Sequence, residues 1–131
     1  MENKEENNNK NKKFVFIITH SYDNPDVVAG AMQLATNMKA FDMELDFFLM
    51  DKGVLLAKKG FAETLSWQKK DEFSPVAELI KTLTDFGVRF YICASCVKHY
   101  ELDKVERIEN SEIKPGSFLA EMLLERQNLS F

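Results

Sequence analysis

The sequence predicts an α/β fold in which helices layer against a mostly parallel sheet. Three observations carry this. Phe14–Thr19, Leu45–Met50 and Val88–Cys93 are short runs rich in β-branched and aromatic residues. They are largely apolar without strict alternation, as strands buried on both faces are. Segments with helical apolar spacing separate them, and two of these open on a cap residue followed by proline, Asn24-Pro25 and Ser74-Pro75. Strand and helix therefore alternate along a chain of 131 residues, a length that suits one domain.

Residues 1–13, MENKEENNNKNKK, hold five Asn, four Lys and three Glu, with no apolar residue after Met1. Such a composition offers nothing to offset the entropy of ordering and predicts a disordered, solubilising tail. The single domain spans 14–131. Its first strand, Phe14–Thr19, leads into the polar loop His20-Ser21-Tyr22-Asp23-Asn24. A helix over about 25–41 follows, capped by Asn24 or Asp23, with Val27, Ala31, Leu34, Met38 and Phe41 on its inward face. The second strand, Leu45–Met50, ends at Asp51-Lys52-Gly53, and a short helix is expected over 54–59.

Residues 60–73 are a poorly patterned connection carrying Trp67, which suits a pocket or subunit contact. The next helix has Val76, Leu79, Ile80, Leu83 and Phe86 on one face, and Gly87 stops it. After the third strand, a short helix is expected over about 96–105 and a short fourth strand within 105–113. Ser117 is a candidate cap for a last helix with Leu119, Met122 and Leu123 inward. Residues 128–131 suit a terminal strand.

The formal net charge is −4 and the pI about 5.2, which argues against a general nucleic-acid binder. No apolar stretch approaches the roughly 20 residues of a membrane helix, and none resembles a secretory signal. Two closely spaced cysteines make no disulfide framework and suit reduced thiols. The expected location is the cytoplasm.

Both cysteines lie in YICASCVKHY, residues 91–100. In an open parallel sheet, ligands bind beyond the carboxyl ends of the strands. His20, Asp51 and Cys93 with Cys96 would meet at that rim. A thiol there, at a helix start, faces unpaired N–H groups, and Lys98 and His99 add positive charge. Three readings of the pair stand open: a redox or sulfur-handling site, a metal half-site, or packed core thiols. No second CxxC or HxxxH accompanies the pair, so no metal is expected. Only 35 residues follow Cys96, too few for a thioredoxin-type arrangement.

FVFIITHS, DFFLMDKGVLLAKKG, GVRFYICASC and the ending IENSEIKPGSFLAEMLLERQNLSF, in this order and spacing, resemble the DsrE/DsrF-like family. That family includes sulfur-relay subunits and YchN-like proteins, and the resemblance covers 14–131. It implies a three-layer α/β/α sandwich with a sheet of about five strands, and homo-oligomers, commonly trimers or hexamers. It implies that Cys93 carries sulfane sulfur as a persulfide between donor and acceptor carrier proteins, without a cofactor. Cys96 would resolve the persulfide or hold a second sulfur. Ser95 and Cys96 backbone groups, with His20 or His99, would stabilise the thiolate, and Asp51 and Trp67 would contribute to ligand binding. The alternative is a non-catalytic oligomeric scaffold with a small ligand at the same rim, lined by His20 and Trp67.

Overall fold

The structure, a computed structural model, describes residues 12–65 and 74–131. Five strands, β1 (Lys13–Ile18), β2 (Glu44–Leu49), β3 (Phe90–Cys93), β4 (Ser111–Lys114) and β5 (Gln127–Ser130), form one sheet. Their order is β4-β3-β2-β1-β5, and every neighbouring pair is parallel. All carboxyl ends therefore share one edge.

Among the described residues four α-helices connect the strands: α1 (Pro25–Ala40), α2 (Val76–Asp85), α3 (Ala94–His99) and α4 (Gly116–Glu125). The chain steps from β1 to β2 to β3 in one direction, so right-handed crossovers put α1 and α2 on the same face, where they pack together. The step from β4 back to β5 runs the other way and puts α4 on the opposite face. There Phe118 meets Tyr91, with ring centroids 4.7 Å apart. The result is a three-layer α/β/α sandwich, as expected.

Register explains the core. Phe16 pairs with Phe47 and Phe47 with Phe90, so alternation along each strand aligns three rings on the α1/α2 face. Their centroids are 5.1 and 5.0 Å apart, and Phe131 stacks on Phe16 at 5.5 Å. Phe16, Phe47 and Phe90 are fully buried, each side chain contributing on the order of 1.5–3 kcal/mol by area. The α4 face is more polar. Asp46 Oδ2 pairs with Arg126 Nη2 at 3.1 Å, Asp46 Oδ1 accepts the Arg89 N–H at 2.8 Å, and Arg126 Nη1 donates to the Phe14 carbonyl at 3.0 Å.

Several local expectations need correction. Lys13, assigned to the tail, starts β1 opposite Glu44. In α1 the buried residues are Val28, Ala29, Ala31, Met32, Ala35 and Met38. Leu34 and Phe41, expected inward, are exposed, and Val27 is half-buried. The buried stripe thus runs through Val28, Met32 and Met38 with three alanines between them, and turns Leu34 and Phe41 outward. The short helix after β2 is a 3₁₀ segment, Asp51–Ala57, that starts earlier than 54. Phe86 and Leu123, also expected inward, are exposed. The segment expected as one helix over 96–105 is α3 followed by a 3₁₀ turn, Leu102–Lys104, separated by Glu101 in the left-handed region at φ 57°. The fourth strand begins at Ser111, and α4 begins before Ser117, behind Pro115.

Candidate functional site

Three loops meet where β1, β2 and β3 end. After β1, Thr19 donates through both N–H (2.8 Å) and Oγ1 (3.0 Å) to the Phe131 carbonyl, which ties the rim to the end of the chain. Ser21, fully buried, donates its hydroxyl to the Lys52 carbonyl at 2.7 Å and so couples the first loop to the second. Asn24, not Asp23, caps α1: its side chain accepts the Val27 N–H. Asp23 is left to accept the Ser21 N–H at 2.9 Å and to hold His20 Nδ1 at 2.7 Å. These bonds, the His20 contact foremost, hold the Asp23 carboxyl down to about 2.

The second loop is shaped by close backbone approach. The Met50 N–H donates to the Ile18 carbonyl at 3.0 Å. Asp51 follows in the left-handed region at φ 51°. At Gly53 a Cβ would stand 2.2 Å from the Ile18 oxygen, so only glycine fits there. This geometry points the Asp51 N–H at Cys96 Sγ, at 3.2 Å.

Cys93 closes β3 and is the cap residue of α3, which sets its sulfur beside the first turn of that helix. Its Sγ is 3.3 Å from Ser95 Oγ, and the side chain is buried, with the residue 6% exposed. Burial works against its ionisation. The Ser95 hydroxyl, the Cys96 N–H and thiol, and the Ser95 N–H outweigh it and draw the Cys93 thiol below the usual cysteine range. Cys96 goes the other way. Burial first, opposed by the Asp51 N–H, and then the neighbouring Cys93 sulfur, raise it. Of the two thiols, Cys93 is therefore the one whose ionisation the surroundings favour.

A cavity of about 500 Å³ opens on this rim. His20, Asp51, Ser95, Cys96 and His99, all expected at the site, line it. Cys93 does not line it but is buried against Ser95 and Cys96, which do. Trp67 lies outside the described residues. Thr19, Asp23, Lys52 and Tyr100 complete the wall and were not singled out from the sequence as site residues. The readable signal for Asp23 was its place three residues after His20 in one polar loop. Among the described residues, no group of three or more His, Cys, Asp or Glu side chains could hold a metal ion. The arrangement suits nucleophilic chemistry: a thiol whose surroundings favour ionisation, a second thiol next to it, and two imidazoles lining the same cavity as that second thiol.

The comparisons agree with this architecture. The DsrE/DsrF-like family matches residues 12–131. The uncharacterized protein MJ0989 of Methanocaldococcus jannaschii is 26% identical over 117 residues, covering 89% of this chain and 96% of its own. The YchN protein of E. coli superposes with a TM-score of 0.76 at 21% identity, over 92% of this chain and 99% of that one. MTH1491 of Methanobacterium thermoautotrophicum superposes with a TM-score of 0.68 at 14% identity, over 92% and 99%. The two superpositions establish the α/β fold, and the family match establishes the kinship. The chain belongs to the DsrE/DsrF-like family, which is associated with sulfur relay.

Proposed function

We propose that this protein is a sulfur carrier that holds sulfane sulfur as a persulfide on Cys93. The observation that carries the reading is the place of one sulfur: Cys93 Sγ sits at the start of α3, 3.3 Å from the Ser95 hydroxyl, in surroundings that draw its thiol below the usual cysteine range. They favour the thiolate, which is the attacking form. The thiolate attacks the outer sulfur of a donor persulfide. A Cys93–S–SH forms and the donor leaves as thiolate. An acceptor thiolate then attacks the same outer sulfur and Cys93 leaves, its departure eased by the same surroundings. Cys96 has a second option. Its thiolate can attack the inner sulfur, forming a Cys93–Cys96 disulfide and expelling hydrosulfide.

The burial of Cys93 favours one competing reading, a non-catalytic scaffold that holds a small ligand in the cavity above an inert thiol. Alkylation separates the two. In a Cys96→Ser background, the rate of Cys93 labelling by iodoacetamide should titrate with a midpoint below the ~8.5 of free cysteine. Labelling that waits for denaturant would support the scaffold.

The partners in this proposal are thiol-bearing donor and acceptor carrier proteins, and the protein works as a homotrimer or homohexamer in the cytoplasm. Apolar side chains remain for subunit contact, with Leu124 85% and Phe41 74% exposed. Gel filtration at the size of a 15.1 kDa monomer would contradict the oligomer. Among the described residues no helix is long and apolar enough to cross a membrane.

A further inference from the structure

We propose that His20, oriented by Asp23, is the base that takes the proton of the acceptor thiol when sulfur leaves Cys93. The inference rests on the carrier reading above and deepens it: it assigns the proton of the second half-reaction.

The geometry carries it. Asp23 Oδ2 lies 2.7 Å from His20 Nδ1, and Asp23 Oδ1 accepts the Ser21 N–H at 2.9 Å, so the carboxylate is held at both ends. Lys52 Nζ, 3.8 Å from Oδ2, adds a cation on the same carboxylate. The buried Ser21 hydroxyl fastens this loop to the Lys52 carbonyl. An ionised carboxylate only accepts hydrogen bonds. Nδ1 must therefore carry the proton it donates to Asp23, and in the neutral ring Nε2 is left as the acceptor. His20 lines the cavity that also bares Cys96, beside buried Cys93. Among the described residues, the charged and titratable groups that line the cavity with His20 are Asp23, Asp51, Lys52, Cys96, His99 and Tyr100. Of these, only Asp23 is bonded to the ring.

A thiol entering this cavity is mostly protonated at neutral pH, whereas the attacking species is the thiolate. His20 Nε2 takes the proton from R–SH. The resulting R–S⁻ attacks the outer sulfur of Cys93–S–SH, forming the new S–S bond of R–S–SH and breaking the bond to Cys93. Cys93 leaves as thiolate among its donors. The proton on His20 then returns to that thiolate or to solvent. Nothing is oxidised or reduced overall. His20 touches the reacting thiol, and Asp23 is a positioning residue that acts through it.

The test uses the full chain loaded with sulfur, the load on each protein determined by intact mass before mixing. Transfer is timed to two probe thiols: 2-mercaptoethanol, mostly protonated at pH 7, and an aromatic thiol acidic enough to be ionised there. With 2-mercaptoethanol, His20→Gln should slow transfer at pH 7 by about 100-fold, the scale of a lost general base. Asp23→Asn should slow it by about 10-fold. Both deficits should shrink as pH rises past the thiol's own ionisation, and neither should appear with the aromatic thiol. Equal slowing for both thiols at every pH, or wild-type rates in both variants, overturns the role of His20 while leaving the carrier reading intact. If His20→Gln fails to fold, Asp23→Asn alone decides by the same contrast. A wild-type protein that accepts no sulfur removes the carrier reading and this inference with it.

Discussion

Phe16, Phe47 and Phe90 stand in line across β1, β2 and β3, yet a few residues further on, at or just past the ends of these strands, the chain places His20, Asp51 and Cys93. The two regions share a sheet but not a means of cohesion. The aromatic ladder is held by ring contacts at 5.0–5.5 Å and complete burial. The rim is held by directed bonds within and between loops: Asp23 to His20 in the first loop, Ser21 to Lys52, and Asp51 to Cys96. The ladder tolerates small shifts because dispersion is non-directional. The rim does not, because its donors must point at particular sulfur and oxygen atoms. The contrast suggests that the apolar half fixes the position of each strand end and leaves the loops free to specialise in chemistry.

The largest expected effect comes from breaking the ladder. Phe47→Ala removes the ring that touches both neighbours and should cost about 3–5 kcal/mol of unfolding free energy. Urea denaturation measures it. A loss below about 1 kcal/mol would mean that the ladder does not anchor the sheet.

Gly53→Ala strikes the join between the regions. The added methyl would stand 2.2 Å from the Ile18 carbonyl oxygen, and both partners are backbone, so the 3₁₀ segment must move. The cost should be about 1–3 kcal/mol. Because that segment carries the Asp51 N–H to Cys96, the alkylation rate of Cys96 should change as well. A stability loss with unaltered Cys96 labelling would show that the loop does not tune the thiol.

The smallest effect compares two carboxylates of opposite sign. The folded state depresses Asp23 from 3.8 to about 2, so its contribution to stability is present above pH 3.8 and fades as pH falls toward 2. Asp46, on the α4 face, is raised, by burial first, against the Arg89 N–H and Arg126. Its ionisation therefore opposes folding as pH climbs through and just above the ordinary carboxylate range. Asp23→Asn should flatten the acid side of the stability curve between pH ~4 and ~2, and Asp46→Asn should not. Parallel acid titrations of the two variants, followed by circular dichroism, check the difference.

The same contrast explains what could be read from the sequence. The ladder strands were legible because Phe14–Ile18 and Phe90–Cys93 are unbroken apolar runs and Leu45–Leu49 is interrupted only by Asp46, and parallel order brought their polar ends to one rim. His20, Asp51 and Cys96 could be placed on that rim by this topology, and Ser95 and His99 by their nearness to the cysteines in sequence. The pairing of Asp23 with His20 was hidden, because Asp23 and Asn24 are equally good helix caps and only the loop's path decides between them. Lys52 was hidden because its contribution begins with a backbone carbonyl, which no side-chain pattern announces. The inward face of α1 was read correctly at Ala31 and Met38 but not at Leu34 and Phe41, because those two large residues fit the apolar spacing while the buried stripe passes through Val28, Met32 and Ala35. The burial of Cys93 beneath Ser95 and Cys96, rather than on the cavity wall, depends on α3 starting at Ala94.

The central claim is that Cys93 carries sulfur, and intact-mass spectrometry after incubation with a persulfide donor tests it most directly. The wild-type protein should gain the mass of one sulfur, Cys96→Ser should retain that gain, and Cys93→Ser should lose it. A Cys93→Ser protein that loads as fully as wild type, or a wild-type protein that gains nothing, would contradict the account.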